Sequence, residues 1–144
     1  MAESGVLLAE VRATKRQGTL DYVLVDAGFH NLPRPLLYGA YHEITALGRA
    51  SDAPLLPQIV AGPLCESADV FTQDANGHLE PRPLPRLAPG DLLCLHDAGA
   101  YAASMASNYN SQPFAAEVLV DGGVARLVRR RQTAEDLFRD EIRD

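Results

Sequence analysis

The sequence predicts a mainly β fold: a β-sandwich or Greek-key barrel of short antiparallel strands with a few short helices. Three observations carry this expectation. Short apolar and β-branched runs recur along the 144 residues, separated by Gly, Pro and Asn turns. Glu117-Val-Leu-Val and Val124-Ala-Arg-Leu-Val flank Asp121-Gly122-Gly123, which supplies the positive-φ positions of a tight hairpin. Helical patterning is confined to a few short stretches.

In chain order, residues 5–13 read as a strand with Leu7, Ala9, Val11 and Ala13 on one face and Glu10 and Arg12 on the other. Gln17-Gly18 turns it into a second strand at residues 22–25. Residues 35–42 can make two helical turns, with Pro35 at the first helical position. Residues 56–61 read as a buried strand. Residues 70–73 and 78–80 suggest a second hairpin around Asn76-Gly77. The proline-rich stretch 81–90 cannot occupy a sheet interior, because each proline removes a ladder donor; an extended surface connection is expected. Residues 92–95 form a further apolar strand, and 100–106 could make a short helix. Thr133-Ala-Glu-Asp136 resembles a capping box and opens a closing helix.

Length fits one domain spanning 1–144, large enough to bury ~68–70% of its unfolded surface. The net charge of −6, with both signs mixed along the chain, argues against a nucleic-acid footprint. Arg129-Arg130-Arg131 reads as a solvated strand end leading into a helix. No apolar run of transmembrane length and no charged-then-apolar leader occurs, so a soluble protein is expected. Two cysteines in dissimilar settings do not make a disulfide framework, and a reducing, cytoplasmic setting fits both. Cys94, inside an apolar strand, reads as a packed core thiol.

The residues that could carry chemistry are few. In Gly62-Pro-Leu-Cys65-Glu66-Ser67-Ala68-Asp69 a thiol and a carboxylate are neighbours, and the negative charge opposes thiolate formation. That suits a proton donor better than a nucleophile. Taken alone, Cys65 reads as a buried structural cysteine. Arg34 lies between Pro33 and Pro35. If Pro35 opens a helix, Arg34 and Tyr38 share a face, and a guanidinium fork beside a phenol can clamp a carboxylate. The bland alternative puts Arg34 in a surface salt bridge and Tyr38 in the core. Tyr109, in Ser107-Asn-Tyr-Asn-Ser111, is by itself a loop tyrosine. The histidines lack metal-ligand spacing, and no local pattern ties His42, His78 or His96 to Cys65 as a hydrolase would need.

Three segments, DAGFHNLPRPLLYGAYH (26–42), VAGPLCESADVFTQ (60–73) and GDLLCLHDAGAYAASMASNYNSQP (90–113), with the RRRQTAEDL tail, resemble the C-terminal β-domain of the diaminopimelate decarboxylase family. These are pyridoxal-phosphate enzymes of fold type III. The resemblance implies an amino-terminal (β/α)8 barrel of ~250 residues, which this chain is too short to contain. It also implies a cofactor lysine, but the only lysine here is Lys15, in a Lys-Arg-Gln-Gly turn. The chain thus looks like half an enzyme, expected to be inactive in isolation.

By the same resemblance, Arg34 and Tyr38 bind the distal carboxylate of the substrate and Glu66 its distal ammonium. Cys65 enters the site of a partner subunit as the general acid, and Tyr109 contacts the cofactor phosphate. The implied partners are the amino-acid substrate, the barrel and a second copy of the chain, with no nucleic acid and no membrane. Ala68 and Ala102 stand where the family usually has glycine, and positive φ at either would cost on the order of 1 kcal/mol. His30-Asn31 replaces the usual Asn-Asp. Two other readings stay open: a domain of a D-ornithine or D-lysine type decarboxylase, and a non-catalytic β-domain that self-associates or regulates decarboxylase subunits.

Overall fold

The computed structural model describes residues 1–50 and 52–142. They divide into two compact units, Met1–Ala106 and Ser107–Asp144. In the first, the strands are β1 (Leu7–Gln17), β2 (Leu20–Val25), β3 (Ile44–Ala46), β4 (Leu55–Ala61), β5 (Arg82–Pro85) and β6 (Leu92–Leu95). One helix, α1 (Arg34–Tyr38), lies between β2 and β3.

The six strands form one sheet in the order β3-β6-β1-β2-β4-β5. Strand β1 is its spine. Residues 7–10 pair with β6 and residues 11–17 with β2, and a register shift between Val11 and Ala13 interrupts the β2 pairing just past the changeover. Such a bulge bends a strand, so the sheet curls until its edges β3 and β5 approach each other. The result is a nearly closed barrel. Val11, Val23, Val25, Leu32, Val60, Leu93 and Leu95 are each no more than 1% exposed and fill its interior. Burying each is worth about 1.5–3 kcal/mol relative to exposure.

Several expectations need correction. Strands β2 and β4 pair in parallel, whereas antiparallel pairing throughout was expected. The connection between them carries α1 and β3, and β3 pairs with β6, so the chain returns to β2 by a crossover. The proline-rich stretch contributes β5, an edge strand, in place of a plain surface connection. Pro83 and Pro85 sit opposite Pro57 and Leu55, while Leu84 faces Leu56 and is buried. Only an edge accepts two strand prolines at this spacing.

The first helix ends at Tyr38, short of His42. Gly39 takes the left-handed conformation at φ 58°, and a Cβ there would lie 2.4 Å from Ala75 Cα. Residues 100–106 form turns with no helix, because Tyr101 itself is left-handed at φ 60°. Val70 bridges to Ala61 at the end of β4, and the hairpin expected at residues 70–80 is reduced to one isolated bridge, Gln73 with Leu79. There Oδ1 of Asp74 accepts the Asn76 and His78 N–H groups at 2.8 and 2.9 Å, a turn that replaces the ladder.

The second unit holds the ribbon β7 (Glu117–Asp121) and β8 (Val124–Arg129) and the helix α2 (Ala134–Phe138). Gly122 and Gly123, at φ 56° and 80°, make the expected tight turn. The Asp136 carboxylate accepts the Thr133 N–H at 2.7 Å, the reciprocal half of a capping box, and pairs with Arg130 at 2.6 Å. Val118, Leu119, Val120, Val124, Leu127 and Val128 are all exposed. No helix among the described residues is long and apolar enough to cross a membrane.

Candidate active site

Arg34 opens α1 after Pro33, so the helix geometry sets Tyr38 one turn further along the same face. The guanidinium carbon lies 5.7 Å from the Tyr38 ring centroid and 5.6 Å from that of Tyr101. Both rings are within cation–π range of the arginine. No carboxylate among the described residues pairs with Arg34. Tyr38 and Tyr101 are 58% and 61% exposed, so the bland reading of a salt-bridged arginine and a core tyrosine does not hold.

Arg34 also lines a cleft of about 390 Å³ with Tyr41, His42, Asp97 and Tyr101. His42 is buried and held by a 2.8 Å contact between Nδ1 and the His96 carbonyl, which bridges the cleft wall to the end of β6. Glu3 and Asp97 line this cleft too, but neither pairs with Arg34, so its guanidinium can accept a further carboxylate. Tyr101 is the residue that sequence reasoning missed. It was visible in Gly99-Ala-Tyr, but helical spacing pointed only to Tyr38, and nothing local shows that the loop after β6 returns to α1.

The thiol turn follows β4. The Gly62 N–H donates to the Asp69 carbonyl at 2.9 Å, and the Asp69 N–H donates to the Glu66 carbonyl at 3.1 Å, closing residues 62–69 into a ring. Cys65 is exposed on this turn, against the buried cysteine that its residue type alone suggests. Oε1 of Glu66 accepts the Ser67 hydroxyl and the Ala68 N–H, each at 3.2 Å, so this carboxylate is oriented by its own turn. Cys65 and Glu66 do not line the Arg34 cleft. The described structure therefore presents two groupings in the first unit: Arg34 with Tyr38 and Tyr101, and Cys65 with Glu66.

Ala68 and Ala102 are absent from the residues with positive φ, so neither alanine is strained. Where the usual Asn-Asp is replaced, the His30 ring is buried, and Oδ1 of Asn31 accepts the Gly28 N–H at 3.3 Å. Cys94 is buried in β6, and burial pushes its thiol up.

In the second unit, Tyr109 opens a 3-10 turn, Tyr109–Ser111, and is 40% exposed. Asn110 and Ser111 are left-handed at φ 52° and 56°. Asn108 braces the turn by donating to the Gln112 carbonyl at 2.8 Å and to Oε1 of Gln132 at 2.7 Å.

The profile of the pyridoxal-dependent decarboxylase family, C-terminal sheet domain, matches residues 2–99, well over half of the chain. The chain belongs to the pyridoxal-dependent decarboxylases. Among proteins similar to this member of the decarboxylase family is the diaminopimelate decarboxylase of Escherichia coli strain K12, 56% identical over 99% of the chain and 35% of the relative. A crystal structure of diaminopimelate decarboxylase superposes with a TM-score of 0.93 at 57% identity, covering 96% of this chain and 34% of that one. The Helicobacter pylori diaminopimelate decarboxylase complexed with L-lysine gives a TM-score of 0.83 at 39% identity, covering 96% and 32%. The chain thus spans about a third of the length of the decarboxylases it matches.

The residues present fit the pyridoxal group only in part. The Tyr109 phenol can donate one hydrogen bond to a phosphate oxygen. The sole lysine, Lys15, lies on β1 with its Nζ 5.8 Å from the Tyr22 ring centroid, in a groove with Arg16 and Arg86, apart from the Arg34 cleft. It is no anchor for the cofactor at this site.

Proposed function

We propose that this chain is the C-terminal substrate-binding and dimerisation domain of a diaminopimelate decarboxylase. The whole enzyme would remove one α-carboxylate of meso-diaminopimelate to give L-lysine and CO2. The observation that carries this reading is Arg34, within cation–π range of two tyrosine rings and paired with no carboxylate among the described residues. A substrate that keeps a second carboxylate after decarboxylation supplies the missing partner. The similarity to diaminopimelate decarboxylases over 99% of the chain supports the same substrate. It also supports treating both compact units as parts of one domain.

In this reading the Arg34 fork and the Tyr38 hydroxyl hold the distal carboxylate, and Glu66 holds the distal ammonium through a charge-assisted hydrogen bond. When bound, the pyridoxal ring supplies the electron sink for the pair left by the departing CO2. Cys65 then delivers the thiol proton from Sγ to the substrate carbon, in the site of a partner subunit. Exposure of Cys65 and its separation from the Arg34 cleft both suit a donor that serves another copy. Tyr109 contributes a hydroxyl to the cofactor phosphate. The exposed apolar residues of β7 and β8 suit packing against the barrel part of the whole polypeptide.

Complementation tests the reading. The chain is mixed with a separately made barrel part, pyridoxal phosphate and meso-diaminopimelate, and CO2 release is followed. Turnover is expected in the mixture and absent from the chain alone, which should also show no lysine-linked absorbance band. Release from D-ornithine or D-lysine in preference to meso-diaminopimelate would move the assignment to that enzyme type. Tight association with no turnover on any of these substrates would favour a non-catalytic module.

A further inference from the structure

We propose that Asp69 is the positioning residue of the thiol turn, latching the segment that carries Cys65 and Glu66 onto the segment that leads into α1. The proposal rests on the reading of Cys65 given above. It deepens that reading by naming the group that sets where the thiol stands.

Asp69 is 3% exposed, and both of its carboxylate oxygens are used. Oδ2 accepts the Leu64 N–H at 2.9 Å, and Oδ1 accepts the Phe29 N–H at 2.7 Å, forty residues away in sequence. Its own N–H donates to the Glu66 carbonyl at 3.1 Å. Asp69 therefore grips the residue before Cys65 with its side chain and the residue after Cys65 with its backbone. The bond to Phe29 carries that grip across to residues 26–31, which lead into Pro33 and Arg34.

The surroundings are shaped for this carboxylate. A Cβ at Gly62 would lie 2.1 Å from Oδ2, and one at Gly28 would lie 2.8 Å from it. Any side chain at either position would push the carboxylate out of its cradle. The buried Nδ1 of His30 has no hydrogen-bond partner among the described residues and sits 3.0 Å from that same Gly28 Cβ position. His30 and Glu66 are the charged or titratable groups that face Asp69. An amide could not do the same work: two N–H donors converge, and asparagine offers one acceptor oxygen and a donor.

The test compares wild type with Asp69→Asn and Gly28→Ala, the second pushing the carboxylate aside while keeping it. In the 144-residue chain, amide exchange at Leu64 and Phe29 should accelerate about tenfold in both variants, with β1 and β6 amides unchanged. Alkylation of Cys65, read by intact mass, should change at least about threefold. In the chain reconstituted with its barrel part, kcat should fall about tenfold with KM for meso-diaminopimelate held within about threefold.

Wild-type exchange at Leu64 and Phe29 in either folded variant overturns the proposal, as does protection lost evenly over every strand. Should Asp69→Asn fail to fold, Gly28→Ala decides by the same criteria. If instead Cys65→Ser keeps full turnover while the exchange effect stands, the proton-donor reading fails and the latch survives.

Discussion

On the proposed reading, Arg34 is the carboxylate-binding residue, with the Tyr38 and Tyr101 rings beside it and no described carboxylate paired with it. Arg34→Lys keeps the charge but loses the planar fork, so it is no conservative change here. In reconstituted enzyme its KM for meso-diaminopimelate should rise about tenfold or more, with kcat less affected, by steady-state kinetics. Asp69 and His30 bring a titration of their own. Burial pushes the Asp69 carboxyl above its ordinary 3.8, with the Leu64 and Phe29 N–H bonds and nearby His30 pulling the other way and Glu66 adding to the rise. Burial likewise lowers His30 from 6.5, with Asp69 opposing. As pH rises from 3.8 through the raised Asp69 value, the unfolded chain releases its proton first, and the stabilisation lent by the neutral acid is lost. As pH falls from 6.5 through the lowered His30 value, the unfolded chain takes up its proton first, and stability also falls. NMR titration should find the His30 midpoint below 6.5 and that of Asp69 above 3.8. Asp69→Asn should remove the first loss and His30→Gln the second, in unfolding curves recorded across both windows.

Short elements do the positioning, and each ends for a local reason. The five-residue helix α1 stops at Gly39, whose φ of 58° and contact with Ala75 leave no room for a side chain. Gly39→Ala should destabilise the chain by more than about 1 kcal/mol in thermal or urea unfolding, from left-handed strain and overpacking together. The alanines that replace family glycines behave differently, since neither has positive φ. Ala102 is 7% exposed and belongs to the core cluster, so Ala102→Gly should cost about 0.5–1 kcal/mol and restore nothing. A gain in stability on that change would mean that the loop after β6 adopts another backbone. The prolines of β5 show the converse case. They bar an interior strand, as the sequence implies, but an edge position has no second ladder to satisfy, so the strand forms there.

At the scale of the whole molecule, the chain carries a pocket-facing arginine, an exposed thiol and an apolar ribbon, while its only lysine lies away from the Arg34 cleft. In isolation it should therefore be catalytically silent, and addition of the barrel part should slow amide exchange along β7 and β8. Unchanged exchange there in an active mixture would place the contact elsewhere. Much was legible beforehand: the alternation in β1, the Gly-Gly hairpin, the Thr133–Asp136 start of α2 and the motifs around Arg34, Cys65 and Tyr109 are all local, set by side-chain period and turn chemistry. Family likeness, too, lives in ordered motifs that need no coordinates. The parallel pairing of β2 with β4, the approach of Tyr101 to Arg34 and the Asp69 bond to Phe29 join residues far apart in sequence. These depend on how a bulged sheet closes around its core. Pattern in a single segment cannot encode such contacts, because they exist only once packing has brought distant segments together.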